Sequence, residues 1–389
     1  MNCDAREFIP FHAPEIGDAE IESVVETLRS GWLTSGTKVK RFEDDFVEYI
    51  GSEHAVAVNS GTAALHLALD AIGIRQDDEV IVPTMTFTAT AEVVLYFKAK
   101  PVLVDCQEDT LNLDPKQIEA AITSKTKAII PVHFGGQPCD MTPILEIAKT
   151  HKLYVVEDAA HALPASYEGK KIGTIGDITC FSFYATKTIT TGEGGMATTE
   201  NSEWAERMRM MSLHGISHDA WKRYTKEGSW YYEILNPGFK YNLTDIAAAI
   251  GIEQLKKCDE FRKAREKIAK IYDTSFADLE EIHTPVRRSD TEHAWHLYVI
   301  QLNLDHLQIT RNQFINALRE EGIGTSVHFI PLHLHPYYRD NFGYQPSDFP
   351  NASSACERIV SLPIYPKMTE ADVESVIGAV RKVVKLNRR

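Results

Sequence analysis

Residues 181–195 have the sequence FSFYATKTITTGEGG, in which an apolar, strand-like run leads through Lys187 into a glycine-rich turn. A lysine held between a buried strand and such a turn has little room to extend its amine into water. This confinement lowers the pKa of the amine and makes it a competent nucleophile. The glycines of residues 192–195 let the backbone pass close to a ligand. Because a surface lysine before a glycine turn is also common, Lys187 alone does not decide the function.

Upstream of this stretch, from about residue 53 to residue 199, short apolar runs alternate with segments of helical periodicity. The predicted strands are residues 55–58, 79–82, 102–105, 128–132, 153–156 and 178–183, and the predicted helices are residues 62–72, 88–97, 115–122 and 142–150. Near-continuous apolar strands separated by helices indicate a mainly parallel sheet that is covered on both faces. Ligand groups usually gather at strand ends of such sheets. Polar or proline residues stand there in this chain, namely Asn59, Pro83, Asp105 and Asp158.

Two further motifs stand at strand ends of the predicted sheet. The segment NSGTAAL, residues 59–65, passes from a strand through a small turn into a helix, where backbone N–H groups and two hydroxyls form a ready phosphate site. The segment VVEDAAH, residues 155–161, places Asp158 at a strand end, where a carboxylate can hold a pyridine nitrogen protonated. Either motif alone also fits a helix cap, which for Asp158 in isolation is the more frequent case.

The pattern changes after Asn242. Residues 243–277 are predicted to form one long, charged helix, followed by a strand at residues 296–302 and helices at residues 311–320 and 370–385. These elements predict a smaller α+β domain. The expected division is a large domain over residues 1–255 and a small C-terminal domain over residues 256–389.

The bulk composition limits the classes of partner. With 389 residues, of which 43% are hydrophobic and 25% charged, the chain has the composition of a globular protein. A net charge of −14 argues against a nucleic acid or a membrane surface as the main partner. The six cysteines are scattered, and the polar start has no apolar core. We therefore expect free thiols, no signal peptide and a cytoplasmic location.

The order of the three motifs resembles the arrangement of fold-type I pyridoxal-phosphate enzymes. Over nearly its whole length the chain is similar to the DegT/DnrJ/EryC1/StrS family of sugar-nucleotide aminotransferases, most of all to its spore-coat-polysaccharide and 4-amino-4-deoxy-arabinose types. The segments that carry this likeness are GWLTSG (31–36), YNLTDI (241–246), HAWHL (293–297), GTSVHF (324–329) and LPIYP (362–366). The resemblance implies an α/β fold like that of aspartate aminotransferase, with a large domain built on a mainly parallel sheet and a small C-terminal α+β domain.

The resemblance also implies roles for the residues at matching positions. Lys187 is expected to carry pyridoxal phosphate as a Schiff base and to move a proton, and Asp158 to pair with the pyridinium nitrogen. The remaining cofactor contacts are expected from Ser60, Gly61, Thr62 and Ser182 on the phosphate, Phe87 on the ring face and His161 on the 3-hydroxyl side. Asn242 is expected to reach the phosphate of the neighbouring subunit, which implies a homodimer with shared active sites. Candidate contacts to the nucleotide sugar are Lys240, Arg223, His328 and Tyr184.

The implied reaction is a two-stage transamination. An amino acid, which we expect to be glutamate, converts the cofactor to pyridoxamine phosphate, and the amine then passes to the keto group of a nucleotide-linked sugar, expected at C4. The expected pathway is cell-surface polysaccharide or glycoconjugate biosynthesis. Transamination at C3, a pyridoxal-phosphate sugar dehydratase and a non-catalytic regulator on the same fold are the alternatives. Related dehydratases replace the lysine or carry clustered cysteines, and an intact Lys187 with Asp158 argues against both the dehydratase and the regulator.

Two positions depart from the pattern of many relatives. Tyr184 and Ala185 stand where many relatives carry His-Pro, which leaves the residue that lines the sugar pocket open. His161 stands where many have glutamine, and both side chains can hydrogen-bond the same oxygen.

A cluster of three histidines near the C-terminus suggests a metal site. Pro331 and Pro336, however, break the helical presentation that would bring His328, His333 and His335 together. We therefore expect no metal, with His328 in the substrate site and the other two histidines at the surface.

Overall fold

The computed structural model describes residues 8–217 and 231–389 of the chain. The strands are β1 (His54–Val58), β2 (Glu79–Pro83), β3 (Lys100–Val104), β4 (Thr126–Ile129), β5 (Tyr154–Asp158), β6 (Ser166–Tyr167), β7 (Lys170–Lys171), β8 (Ile178–Ser182), β9 (Gly195–Thr199), β10 (Ile282–His283), β11 (Thr291–Glu292), β12 (Tyr298–Leu302) and β13 (Ile359–Leu362). The helices are α1 (Asp18–Ser30), α2 (Thr37–Ile50), α3 (Gly61–Ala71), α4 (Ala89–Tyr96), α5 (Pro115–Ala121), α6 (Met141–His151), α7 (Ser202–Met211), α8 (Asp245–Lys256), α9 (Cys258–Phe276), α10 (Arg311–Glu320), α11 (Pro336–Phe342), α12 (Pro350–Arg358) and α13 (Glu370–Asn387).

A seven-stranded sheet in the order β1-β9-β8-β5-β4-β2-β3 forms the centre of the fold. Neighbouring strands from β8 to β3 pair in parallel, and β9 runs antiparallel to both β8 and β1. The predicted mainly parallel sheet is therefore confirmed. The strand β9 was not predicted, because its short Gly-Met-Ala-Thr-Thr run follows the glycine turn without the long apolar stretch of the other strands.

Helices cover both faces of this sheet, so that its strands are buried on both sides. On one face Val80 and Val82 pack in a core that includes α3, α4 and α7. On the other face Ile81 packs in a second core that includes α2, α6 and α8. Such two-sided burial explains why the strands have near-continuous apolar sequences.

The C-terminal part has a third core of its own, between α9, α10, α13 and the antiparallel strands β10, β12 and β13. The prediction of one helix over residues 243–277 was wrong. The helical hydrogen-bond ladder is interrupted at Lys257 (φ −100°, ψ 0°), between α8 and α9. Because helical periodicity continues on both sides, the sequence pattern does not reveal this break. The division at residues 255 and 256 stays a prediction.

Three of the strand-end residues have different surroundings. Asp158 faces the cavity described below, whereas the carboxylate of Asp105 accepts hydrogen bonds of 2.9 Å from the backbone N–H groups of Asn351 and Ala352 at the start of α12. Asn59 donates to the Lys240 carbonyl at 3.4 Å. A polar residue at a strand end is thus as able to join two elements as to bind a ligand.

Candidate active site

A cavity of about 390 Å³ lies where β5 and β8 end and α3 begins. Most of the predicted site residues line it, namely Ser60, Gly61, Thr62, Phe87, Asp158, His161, Ser182, Tyr184, Lys187 and His328. The fold therefore brings together residues from separate strand ends with a residue from the C-terminal part. A cavity of this size is typical of small-molecule and cofactor sites.

The phosphate turn forms the start of α3. Ser60 has extended backbone dihedrals (φ −166°, ψ 159°) and its Oγ accepts a hydrogen bond of 3.0 Å from the N–H of Ala63. At the start of a helix the first N–H groups have no partner in the helix itself, so those of Gly61 and Thr62 can bind an anion. A Cβ atom on Gly61 would come within 3.0 Å of the Ser182 Cβ, which shows how closely β8 approaches this turn.

Gly195, the first residue of β9, closes the turn from the other side. A Cβ atom at this position would lie 2.4 Å from the Ser60 carbonyl oxygen, a distance that no side chain tolerates. The glycine-rich segment after Lys187 thus allows β9 to pass against the phosphate turn, as the sequence predicts for a close backbone approach.

Asp158 is fixed at the end of β5. Its Oδ2 accepts a hydrogen bond of 2.8 Å from Thr90 Oγ1, and its Oδ1 accepts one of 3.1 Å from the backbone N–H of Ala160. The Thr90 hydroxyl also contacts Thr86 Oγ1 at 2.7 Å. Burial raises the pKa of the Asp158 carboxyl, although both hydrogen bonds and the charge of Lys187 oppose the shift. The two hydrogen bonds hold the Asp158 carboxylate in one orientation, in which it can share a proton with a basic nitrogen.

Lys187 follows β8, and its backbone N–H donates to the Tyr184 carbonyl at 2.9 Å. Burial lowers the pKa of its amine to about 8, while the negative charge of Asp158 opposes this effect. The amine is therefore much more often uncharged near neutral pH than that of a solvent-exposed lysine. This agrees with the low pKa expected from its position between a strand and a turn.

Three histidines stand together at one side of the cavity. The ring centroids of His161 and His296 are 4.4 Å apart, and His328 Nδ1 is 2.9 Å from Ser361 Oγ. Burial lowers the pKa of all three imidazoles, that of His328 to about 4, and the charge of Lys187 acts in the same direction. All three rings are therefore neutral at physiological pH and can exchange hydrogen bonds with a ligand.

The residues present fit pyridoxal phosphate. The start of α3 suits its phosphate, Asp158 its ring nitrogen and Lys187 its aldehyde carbon. In addition, His161 Nδ1 is buried without a hydrogen-bond partner in the described part of the chain, although a buried polar atom normally has one. A ligand oxygen in the cavity would satisfy this atom.

The fold and this cavity define an enzyme of fold type I, with Lys187 among the residues that line the cavity. The model of the DegT/DnrJ/EryC1/StrS aminotransferase family matches residues 14–381, and the chain belongs to this family. It is 58% identical over 381 residues to the uncharacterised protein MJ1066 of Methanocaldococcus jannaschii, covering 98% of this chain and 99% of the relative. It is 53% identical over 379 residues to the spore coat polysaccharide biosynthesis protein SpsC of Bacillus subtilis, covering 97% of each chain.

Solved structures agree with this assignment. Spr1654 of Streptococcus pneumoniae, described as a candidate sugar aminotransferase, superimposes in its PMP form with a TM-score of 0.91 at 36% identity, covering 97% of this chain and 98% of the other. Its PLP form gives the same TM-score and identity. The predicted family, fold class, aminotransferase activity and pyridoxal-phosphate cofactor are confirmed by these likenesses.

Two of the predicted site residues that the structure describes are not among those that line the cavity. Lys240 Nζ donates to Asn242 Oδ1, and Asn242 Nδ2 donates to Ser35 Oγ at 2.7 Å. The backbone of Asn242 pairs with Val58, so it lies beside the strand that leads into the phosphate turn. Arg223 lies outside the described residues. The roles of all three stay predictions.

Sequence reasoning missed several residues of the cavity. They are Thr86, Thr90, Glu193, His296 and Phe329, of which Thr90 bonds Asp158 while the other four line the cavity. His296 and Phe329 lie in the segments HAWHL and GTSVHF, but nothing in the local pattern of these segments says which side chain points inward. Only packing between distant elements decides which of these side chains points into the cavity.

The surface position predicted for His333 was wrong. Its ring is 1% exposed and lies between Thr84 Oγ1 at 2.8 Å and Ser353 Oγ at 2.9 Å, so it joins the end of β2 to α12. His335 is more exposed and contacts the Ile330 carbonyl at 3.2 Å. Within residues 8–217 and 231–389, no group of three or more His, Cys, Asp or Glu side chains could hold a metal ion. In the same ranges, no helix is long and apolar enough to cross a membrane.

Proposed function

We propose that this aminotransferase moves an amino group from glutamate to the keto group of a nucleotide-linked sugar, at C4, for the biosynthesis of cell-surface polysaccharide or a glycoconjugate. The observation that carries the proposal is the meeting of Lys187, Asp158 and the start of α3 in one cavity. The likeness to SpsC, a spore coat polysaccharide biosynthesis protein, supports the sugar substrate and the type of product.

When bound, pyridoxal phosphate supplies the electron sink for chemistry at the carbon–nitrogen bond. Lys187 would hold the aldehyde carbon of the cofactor through Nζ, and the same amine would accept and return a proton at the substrate carbon. A pKa of about 8 leaves a useful fraction of the amine free to accept that proton near neutral pH. Asp158 would keep the ring nitrogen of the cofactor protonated, because a carboxylate close to a basic nitrogen favours the charged form of that nitrogen.

The other described residues bind and orient. Of the residues that line the cavity, Ser60, Gly61, Thr62 and Ser182 would hold the phosphate, Phe87 would cover the ring face, and His161 would contact the 3-oxygen side. His328 and Tyr184 line the same cavity and are assigned to the sugar. Many relatives carry histidine at this position, where Tyr184 offers the sugar an aromatic face and a hydroxyl group that can donate a hydrogen bond.

We further propose a homodimer with shared sites. Phe87 and Tyr184 line the cavity yet remain 60% and 47% exposed in a single chain, which suits a second subunit covering the opening. Lys240 and Asn242 do not line the cavity of their own chain and would then serve the partner's site. Asn242 is assigned to the cofactor phosphate, and Lys240 and Arg223 are assigned to the nucleotide sugar. The five described cysteines are free and buried, which supports a reducing, cytoplasmic location.

Absorption spectroscopy tests the cofactor and donor directly. The purified protein with pyridoxal phosphate is expected to be yellow, to lose the visible band on addition of glutamate, and to form a borohydride-stable adduct on Lys187. A colourless protein would contradict the cofactor assignment, and a band that no amino acid alters would favour the regulator.

The acceptor is identified by incubating the enzyme with ¹⁵N-glutamate and UDP-, GDP- or dTDP-linked keto-sugars. We expect label in the sugar, located at C4 by NMR. Matched 3-keto and 4-keto sugars on the same nucleotide separate the two positions. Label at C3 would overturn the C4 assignment, whereas loss of a sugar hydroxyl without label would indicate a dehydratase.

A further inference from the structure

The turn that carries His296 into the cavity has an unusual backbone. Trp295, a bulky residue that is 2% exposed, has φ of 53°, in the left-handed region that side chains other than glycine rarely adopt. Such a conformation persists only where its surroundings fix it, and it often accompanies a functional constraint. The turn formed by residues 293–296 is called the histidine turn below.

Arg265 of α9 fixes the histidine turn from the side of the third core. This arginine is fully buried, and its Nη1 is 3.4 Å from the Trp295 carbonyl, 3.3 Å from that of His296 and 2.6 Å from that of Ile364. One guanidinium thus joins α9, the histidine turn and the segment after β13. Burial lowers the pKa of Arg265 only to about 10, so the group remains charged at neutral pH.

Further contacts hold the histidine turn on its other sides. The N–H of Ala294 donates to the Gly136 carbonyl at 2.9 Å, and that of Trp295 to His293 Nδ1 at 2.8 Å. The Trp295 ring stacks on His293 with centroids 3.9 Å apart, and the Arg287 guanidinium lies 4.4 Å from the centre of the same ring. This many constraints leave the turn a single arrangement.

The histidine turn is coupled to His161 through both ring and backbone. The His161 and His296 rings are 4.4 Å apart and tilted by 38°. Gly136 (φ 98°) lies between the two backbones, since a Cβ atom on it would come 2.7 Å from the His161 carbonyl oxygen and 3.2 Å from the His296 nitrogen. A displacement of the turn would therefore move His161 as well.

We propose that Arg265 is a positioning residue that, by fixing the histidine turn, holds His296 against His161 and so sets how His161 meets the cofactor. The inference rests on the proposed function, in which His161 contacts the 3-oxygen side of pyridoxal phosphate. Arg265 and His296 would both contribute to cofactor binding, although the sequence around each residue does not reveal such a role.

The charges around His296 support this role. The titratable groups that face it are His161, Lys187, His328 and Arg265, and burial together with these groups lowers the pKa of its imidazole well below the usual value. With Arg265 in place the His161 and His296 rings are both neutral, so each can donate one hydrogen bond and accept another. Removal of the arginine charge would favour protonation in the cavity.

Four variants separate positioning from general stability. R265M removes charge and donors, R265K keeps the charge with a different shape, and H296F keeps ring volume while removing both nitrogens. R311M is the matched control, because Arg311 donates to the Ile359 carbonyl at 3.4 Å and does not line the cavity. For each variant we would measure the pH midpoint of the visible band of bound pyridoxal phosphate, the rate of cofactor loss on dialysis, and the melting temperature.

In R265M the midpoint is expected to rise by roughly 0.5–1 pH unit, because a buried positive charge has been removed. Cofactor loss should accelerate about fivefold or more in R265M, which loses the hydrogen bonds to the histidine turn, and in H296F, which alters the ring that packs against His161. R265K should restore the pH midpoint of the visible band but not the full retention of the cofactor, since an ammonium cannot reproduce the geometry of a guanidinium. R311M should change only the melting temperature.

A wild-type midpoint and wild-type cofactor retention in R265M would overturn the inference while leaving the proposed function intact. If R265M does not fold, the same two readings in H296F decide, because that variant leaves Arg265 in place. A wild-type protein without any visible band would overturn both the proposed function and the inference that rests on it.

Discussion

The two walls of the cavity are built in different ways. The sheet wall, formed by residues 60–62, Asp158, Ser182 and Lys187, comes from strand ends of one sheet, each within a short stretch that has its own local signal. The C-terminal wall, formed by His296, His328 and Phe329, comes from segments that follow α9 and reach the cavity by long-range packing. We expect the sheet wall to carry most of the cofactor chemistry and His328, in the C-terminal wall, to contact the sugar. Each prediction below tests one wall against the other.

The largest effect is expected from K187A, in the sheet wall. Loss of the amine removes both the anchor and the base, so transamination should fall by roughly 10³-fold or more. The measurement is ¹⁵N transfer from glutamate, with the oligomeric state followed by light scattering and expected to be unchanged. K149A, at an exposed position of α6, is the control. Turnover near wild type in K187A would refute the assignment of the lysine.

D158N should be the next most harmful change. The amide keeps the shape and can still accept a hydrogen bond from Thr90, but it has no charge to hold the proton of the ring nitrogen. We expect kcat to fall by about 10²-fold, with a smaller change in cofactor affinity.

The control for this variant is D177N. The Asp177 carboxylate accepts a hydrogen bond of 2.7 Å from the N–H of Val155, at the opposite end of β5, and burial also raises its pKa. Equal losses of kcat in D158N and D177N would mean that any buried carboxylate of this sheet matters equally, and would contradict a specific role for Asp158.

The contrast between the walls also shows what the sequence could predict. Six strands of the central sheet and the motifs at residues 59–65, 155–161 and 181–195 were predicted, because short-range apolar patterns and strand-end polar residues determine them. The break at Lys257, the buried position of His333 and the inward direction of His296 were not. Each depends on contacts between elements far apart in the chain, such as the hydrogen bonds of His333 to Thr84 and Ser353.

The pH dependence of cofactor binding tests the electrostatics of the sheet wall. The pKa of the Lys187 amine is lowered to about 8, so below that pH the amine is mostly protonated and not nucleophilic. The rate at which the cofactor-free protein develops the visible band should rise about tenfold per pH unit from pH 6 to 7 and level off above pH 8. Stopped-flow absorbance gives this profile. A rate that continues to rise towards pH 10 would show an ordinary, solvated lysine.

The smallest effect is expected from the C-terminal wall, in H328N. Its ring lies 2.9 Å from Ser361 Oγ and faces the cavity, and burial lowers the pKa of the imidazole to about 4. A neutral ring at neutral pH offers the substrate a hydrogen bond but no charge, so its loss should raise KM for the nucleotide sugar by roughly threefold to tenfold and leave kcat nearly unchanged. Because the half-reaction with glutamate does not use the sugar pocket, the rate at which glutamate removes the visible band should stay at the wild-type value. H333N, which removes a buried histidine outside the cavity, should change neither rate nor KM. A fall in the glutamate half-reaction of H328N would place His328 with the sheet wall and erase the division of labour between the two.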